Sequence, residues 1–526
     1  MKNSRPYQNK LSLKEKISYL LPAFIITLVA LLFIYVTENV ILPRRIIVPL
    51  IVLFGVLFLL IWPAQKITQN WAWTGAILFI FAAGFYLYET IFYIIVVVYS
   101  AGFLCLVLVF RILKRKPRQK QIAFVSNLIA LALLTLIVVS FIPILAEVKW
   151  IPYKNSLSNS KNNLPVIKAS TKVQPDIYYI VLDAYARNDV LDEYYNFNNS
   201  EFITYLTNKG FFVPSNSFSN YSKTILSVTS TLNYEYTQNI IAGVDDARLW
   251  WLVNPFWQNN RMQLILEQLG YTSISIASQW ELSNNTNVDL YFKPEPIFLN
   301  EFDGYMLAKT PLKLFQPILD LFSFVPSFET HRELILYNFD VLGKVAEMPV
   351  PTFTFAHIIS PHPPFVFDGN GNPISPEYSF SFIDEADIPI TDEEYQKGYT
   401  DQIKFINHQL EMLIEGILAK SATPPIIILQ ADHGPRSVAD PSSFDNKCQK
   451  ERFAIFAAYY LPGLQENPIP DDITPVNLFR IILNEYFATG LPILENHSYT
   501  TENTKFLFQL KDITGDLNKD CPPIIP

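Results

Sequence analysis

Four short stretches of this chain carry side chains suited to metal and phosphoryl chemistry. The apolar run Ile426-Ile427-Ile428-Leu429 leads into Gln430-Ala431-Asp432-His433-Gly434. A carboxylate beside an imidazole supplies the oxygen and nitrogen donors that divalent transition metals take. Asp176-Ile-Tyr-Tyr-Ile-Val-Leu182 leads in the same way into Asp183. Thr224, Ser227 and Ser230 recur at helical spacing after Ser219-Asn220-Tyr221-Ser222-Lys223. A hydroxyl at a helix N-terminus meets the positive end of the dipole, which favours an alkoxide and an anionic substrate. His357 and His362 follow a further apolar run, in His357-Ile358-Ile359-Ser360-Pro361-His362. Each stretch taken singly also suits something plainer. Asp183 and the hydroxyl run suit helix caps, and Asp432-His433 suits an ordinary turn.

Taken together they define a metal-assisted transfer site. Asp183, Asp432 and His433 are the candidate metal ligands, and Thr224 is both a fourth ligand and the nucleophile. A hydroxyl is a poor nucleophile at neutral pH, and coordination lowers its pKa. His362, with His357 beside it, is placed to donate to a leaving-group oxygen or to hold the anion. Arg436, just past the Asp-His-Gly turn, is a candidate phosphate binder. The chain has six histidines, and His357, His362 and His433 are the three at or just after strand ends. His331, His408 and His497 read as structural.

The elements that must position these groups alternate between strand and helix patterns. Strands are expected at 176–182, 272–277, 352–357, 426–429 and 453–459, and helices at 189–208, 262–269, 392–418 and 476–487. Continuous apolar strands alternating with helices predict a layered α/β domain with a mostly parallel sheet. In such sheets ligands bind at the carboxyl ends of the strands. That is where Asp183, His357 and Asp432 fall.

Composition divides the chain in two. Half of its residues are hydrophobic, and the mean hydropathy is positive. The excess lies in residues 17–146. Five apolar spans of bilayer-crossing length are expected, at 17–37, 46–63, 71–88, 91–110 and 122–146, with four as the competing count. No small-residue cleavage site follows the first, so it reads as an anchor and not a signal peptide. Lysines and arginines in loops mark the cytoplasmic side. The densest cluster, Arg111 to Lys120, then lies inside, and everything after about Trp150 lies outside. The expected organisation is a transmembrane anchor at 1–150, a linker at 151–174 rich in Ser and Asn over 154–164, and an extracytoplasmic catalytic domain at 175–526. Residues 1–150 carry 15 basic and 4 acidic side chains, whereas the remainder carries 25 and 44. So acidic a domain is not a nucleic-acid binder, because phosphate contacts need a basic face. Cys448 and Cys521 could pair outside the cytoplasm or remain free thiols.

The order of Asp183 after a strand, Thr224 in NYSKTILSVTS, SPHPPF at 360–365 and ADHG at 431–434 resembles the alkaline phosphatase/sulfatase superfamily. With its anchor, the layout is most similar to the branch of lipoteichoic-acid synthases and lipid phosphoethanolamine transferases, which are sulfatase-like hydrolases or transferases. The resemblance implies an alkaline phosphatase-like domain whose sheet is sandwiched by helices. It implies one divalent metal ion (Zn or Mn) on Asp183, Thr224, Asp432 and His433, and a phospho-threonine intermediate at Thr224. His362 aligns with a substrate-side histidine. The implied substrate is a phospholipid or envelope glycan, met at the plasma membrane. Three departures stand out. Asp183 replaces a frequent Glu, Ala184 stands where two-metal relatives often place a second Asp, and the Cys/Ser-x-Pro-x-Arg motif of true sulfatases is absent. A sulfate or phosphate ester hydrolase, or a catalytically inactive membrane-anchored binding protein, are the alternative readings.

Overall fold

The computed structural model describes residues 11–37, 47–86, 164–165, 174–241, 253–278, 280, 283–294, 327–378, 380, 388–435, 449–503 and 506–518. They fall into two compact units, one up to residue 86 and one from residue 164 onward.

Among the described residues the first unit holds three helices, α1 (Leu13–Thr37), α2 (Ile47–Thr68) and α3 (Trp71–Tyr86). Their positions coincide with the first three apolar stretches of the sequence. α2 continues beyond the expected end at 63 to Thr68. Only Gln69 and Asn70 then separate it from α3. Gln69 takes a left-handed backbone (φ 51°), and the Asn70 side chain caps α3 by accepting from the Ala72 and Trp73 amides at 2.9 and 3.3 Å. Among the described residues one helical stretch, Leu50–Thr68, is long and apolar enough to cross a bilayer, with mean hydropathy 2.1. Ile51, Phe58, Leu59 and Trp62 on it are largely exposed. The expected spans at 91–110 and 122–146 and the basic cluster between them lie outside the described residues, as do Cys448, Cys521 and Arg436.

The second unit is built on a six-stranded sheet. Its elements run β1 (Ile177–Leu182), α4 (Asn188–Tyr195), α5 (Ser200–Asn208), α6 (Thr224–Asn233), α7 (Arg261–Gln268), β2 (Thr272–Ile276), β3 (Leu290–Phe292), α8 (Phe328–Val345), β4 (Thr352–Ile358), α9 (Asp392–Lys420), β5 (Ile426–Gln430), β6 (Ala457–Tyr460), α10 (Pro475–Phe487), β7 (Tyr499–Asn503) and β8 (Phe506–Asp512). The strand order is β3-β2-β4-β1-β5-β6, with β7 and β8 forming a separate antiparallel pair. All pairings in the large sheet are parallel except that of β6 with β5.

β1, β4 and β5 are buried along their whole length, as strands covered on both faces must be. Alternation sends Tyr178, Ile180 and Leu182 into a core shared with α4, α5, α8 and α9. Tyr179 faces the other way and meets Phe479 of α10 edge-on at 5.2 Å. The mostly parallel, helix-flanked sheet is the layered domain that the sequence predicts.

Three local differences from expectation have visible causes. The single helix expected at 189–208 is two, because Asn196 turns left-handed (φ 47°) and ends α4. The strand expected at 453–459 begins only at Ala457. The residues before it spend their amides on neighbouring loops, with Ile455 donating to the Ser217 carbonyl at 3.3 Å and Phe456 to that of Tyr185 at 2.9 Å. β3, β7 and β8 lie outside the expected set: β3 is three residues long, and β7 has little apolar pattern to pair with the apolar run of β8.

Gly434 marks the closest backbone approach near the sheet edge. Its amide donates to the Arg452 carbonyl at 2.7 Å, and a methyl group there would overlap the Glu451 carbonyl. Gly434→Ala is expected to destabilise the domain by about 1–3 kcal/mol, since such overlap forces backbone shifts. Denaturant unfolding followed by tryptophan fluorescence checks this; an unchanged midpoint would contradict the close packing.

Candidate metal and phosphoryl site

The parallel register sets the site. Val181 of β1 lies opposite His357 of β4 on one side and Gln430 of β5 on the other. One residue past β1 is Asp183, whose amide donates to the Ile358 carbonyl at 3.0 Å. Two residues past β5 is Asp432. Three strands running the same way therefore deliver Asp183, His357 and Asp432 to one edge.

Ligand atoms of Asp183, His357 and Asp432 lie within 4.8 Å of one another, and all three residues are buried. His357 Nε2 is 3.2 Å from Asp183 Oδ2, without hydrogen-bond geometry. His433 Nε2 is 3.3 Å from Asp432 Oδ2 and 3.7 Å from Asp183 Oδ1. Thr224, the first residue of α6, puts its Oγ1 3.1 Å from His433 Nε2. Asp183, Thr224, His357, Asp432 and His433 are thus one cluster. His362 joins through its backbone, its amide donating to the Asp183 carbonyl at 3.0 Å, and its half-buried ring bears on Asp183 electrostatically. The sequence expectation placed His357 on the substrate side, whereas the structure sets it against the Asp183 carboxylate.

Ser227 of α6 grips the Asp432-His433 turn as well. Ser227 Oγ donates to the Asp432 carbonyl at 2.8 Å, and Ser219 Oγ donates to the same oxygen. The shared helical face of Thr224 and Ser227 therefore addresses both residues of the Asp-His pair.

Charge in this cluster is poised for a cation. Burial and the neighbouring Asp183 carboxylate push the Asp432 pKa up to about 6. Burial opposes ionisation of Asp183 too, but His362 and then His357 outweigh it and hold its carboxyl well below the usual range. His433 is kept neutral, first by burial and then by the Arg452 guanidinium. Its Nδ1 lies 3.0 Å from the Gly434 carbonyl, a partner that only a protonated Nδ1 can serve. That tautomer leaves the Nε2 lone pair facing Thr224 and the carboxylates. Asp183 Oδ1 and Asp432 Oδ2 are buried with no hydrogen-bond partner. Buried orphan carboxylate oxygens are costly, and two of them beside a neutral imidazole form a donor set that fits a divalent cation.

Arg452 was not legible as a site residue. Its Nη1 donates to the Gly434 carbonyl at 2.9 Å, its Nε and Nη2 donate to that of Ser222 at 3.0 and 2.7 Å, and Nη2 lies 3.4 Å from His433 Nε2. It clips the loop before Thr224 to the turn after His433. The only hint in the sequence is a charged triplet, Lys450-Glu451-Arg452, set directly before an apolar run.

No protein-family model matches the sequence, and no curated protein matches it. The chain is similar to several solved structures. The C-terminal periplasmic domain of EcEptC from Escherichia coli, solved in complex with Zn, is 12% identical with a TM-score of 0.44, covering 67% of this chain and 98% of that one. The lipoteichoic acid synthase LtaP from Listeria monocytogenes is 14% identical with a TM-score of 0.40, covering 67% and 84%. A protein in the alkaline phosphatase superfamily from Vibrio parahaemolyticus is 10% identical with a TM-score of 0.39, covering 66% and 81%.

The raised Asp432 pKa has a definite sign. This carboxyl holds a proton more readily folded than unfolded, so its burial lowers metal-free stability as pH rises from the ordinary carboxylate range through about 6. Metal-free Asp432→Asn is therefore expected to melt above metal-free wild type at pH 7, with the gap closing as the pH is lowered. Added Zn or Mn should raise the melting temperature of the wild type and not of the variant. An equal metal response in the two would overturn the ligand assignment.

Proposed function

We propose that this chain is a membrane-anchored, metal-dependent phospho-group transferase or phosphodiesterase that acts on a lipid or envelope glycan through Thr224. One observation carries the reading. A threonine hydroxyl on the first turn of a helix stands 3.1 Å from a neutral imidazole nitrogen, beside two buried carboxylates with orphaned oxygens.

One divalent ion, Zn or Mn, held on Asp183, Thr224, Asp432 and His433, would lower the pKa of the threonine hydroxyl and offset charge on a transferring phosphoryl oxygen. Thr224 gives up its hydroxyl proton to solvent, and its Oγ1 attacks phosphorus, the new bond forming as the bond to the leaving oxygen breaks. The dipole of α6 favours the anionic group at that end. His362 donates a proton to the leaving oxygen. His357 lies beside the Asp183 carboxylate, and Arg452 holds the nucleophile loop against the His433 turn. Arg436 is a second candidate for anion contact. The anchor confines the site to two dimensions, which suits a lipid donor. The basic cluster at 111–120 supports an extracytoplasmic catalytic domain.

Mass spectrometry of the full chain in detergent, exposed to phospholipid, tests the assignment. A phospho-adduct is expected on Thr224 in the wild type and on no residue of Thr224→Ala. Turnover should fall by roughly 10³-fold or more in that variant, as for loss of other nucleophiles. Wild-type turnover in Thr224→Ala sinks the nucleophile. Passage of the adduct to an alcohol identifies a transferase, and passage to water only identifies an ester hydrolase.

A further inference from the structure

The long helix α9 touches the edge of the sheet at two places, one for each loop that frames the site. Tyr399 and Gln402 are three residues apart and so share a face of the helix. Both are fully buried. Tyr399 Oη donates to the Ala184 carbonyl at 2.7 Å and accepts from the Ala186 amide at 3.0 Å. It thereby brackets the turn that follows Asp183. Ala184 sits in the left-handed region (φ 63°), where an alanine is strained. The Ala184 amide in turn donates to Asp432 Oδ1 at 3.2 Å. One phenol thus stands behind a strained turn that carries one site carboxylate and aims an amide at the other.

Gln402 does the same for the loop after β4. Its Nε2 donates to the Pro361 and His362 carbonyls, each at 3.3 Å, and its Oε1 accepts from the Val366 amide at 2.8 Å. Phe365 of that loop packs on Gly398, where any Cβ would overlap its ring. The loop therefore rests on the helix backbone itself.

We propose that Tyr399 and Gln402 are positioning residues, with Tyr399 setting the carboxylates for the metal and Gln402 setting His362 for the leaving group. The inference rests on the transferase reading given above. Their roles predict opposite fingerprints. A partner one step behind a ligand commonly changes metal affinity by about 10- to 100-fold when removed. A partner behind a proton donor changes the response to the leaving group.

The test uses the full chain in detergent. Mn²⁺ and Zn²⁺ are titrated calorimetrically, turnover is measured on phosphodiesters with good and poor leaving groups, and the fold is checked by melting. Tyr399→Phe is expected to weaken metal binding by about 10- to 100-fold. Gln402→Met is expected to bind metal within about twofold of wild type, yet to slow poor leaving groups far more than activated ones. Glycine adopts the left-handed turn without strain, so Ala184→Gly in the Tyr399→Phe background should recover most of the lost affinity. Unchanged metal affinity in Tyr399→Phe overturns its role, as does lack of recovery by Ala184→Gly in a folded double variant. An equal loss across leaving groups in Gln402→Met overturns the role of Gln402. A wild type that binds neither ion overturns the catalytic reading itself, which is a separate outcome.

Discussion

Two carboxylates buried side by side are the constraint around which this domain is built. Asp183 and Asp432 approach each other at the end of a sheet where water is excluded. Like charges at such a place repel, and burial penalises each of them. A chain keeps such a pair only if the surroundings hold it together. Here the surroundings are His357 and His362, the backbone amide of Ala184 and the register of three parallel strands.

The register matters most, because it is fixed far from the site. β1 is the central strand of the trio, and the pairings of Ile177 with Phe353 and with Ile426 set how far β4 and β5 reach. A shift of one residue would turn every side chain to the opposite face. Asp183 and His357 would then no longer meet. The continuous burial of all three strands guards against such a slip, since every residue along them has core to lose.

Much of this was legible in the chain. Apolar runs ending in Asp183 and in Asp432-His433 announced buried strands and their carboxyl ends. The hydroxyl run announced α6, and its periodicity placed Thr224 and Ser227 on one face. What stayed hidden depended on neighbours in space. His357 lies beside Asp183 only because β4 pairs with β1, and strand order leaves no mark on local sequence. Arg452 comes after Gly434 by a stretch whose length says nothing about return to the site. Gln402 reads as the polar flank of an amphipathic helix, because nothing local shows that a loop with carbonyls to satisfy lies over it. The membrane-facing pattern was read from hydropathy alone, and of its five spans the first three coincide with described helices.

The carbonyl of Asp432 accepts two serine hydroxyls, one from the loop before α6 and one from α6 itself. The same oxygen therefore fastens the Asp432-His433 turn to α6, and Arg452 fastens the flanking loops again through the Ser222 and Gly434 carbonyls. Elements joined in this way move as one body. Such a site takes its working shape when the chain folds, before any substrate arrives, so reorganisation on binding is small. Selectivity in this arrangement falls to the rim and to the route into the site, and not to closure around a ligand.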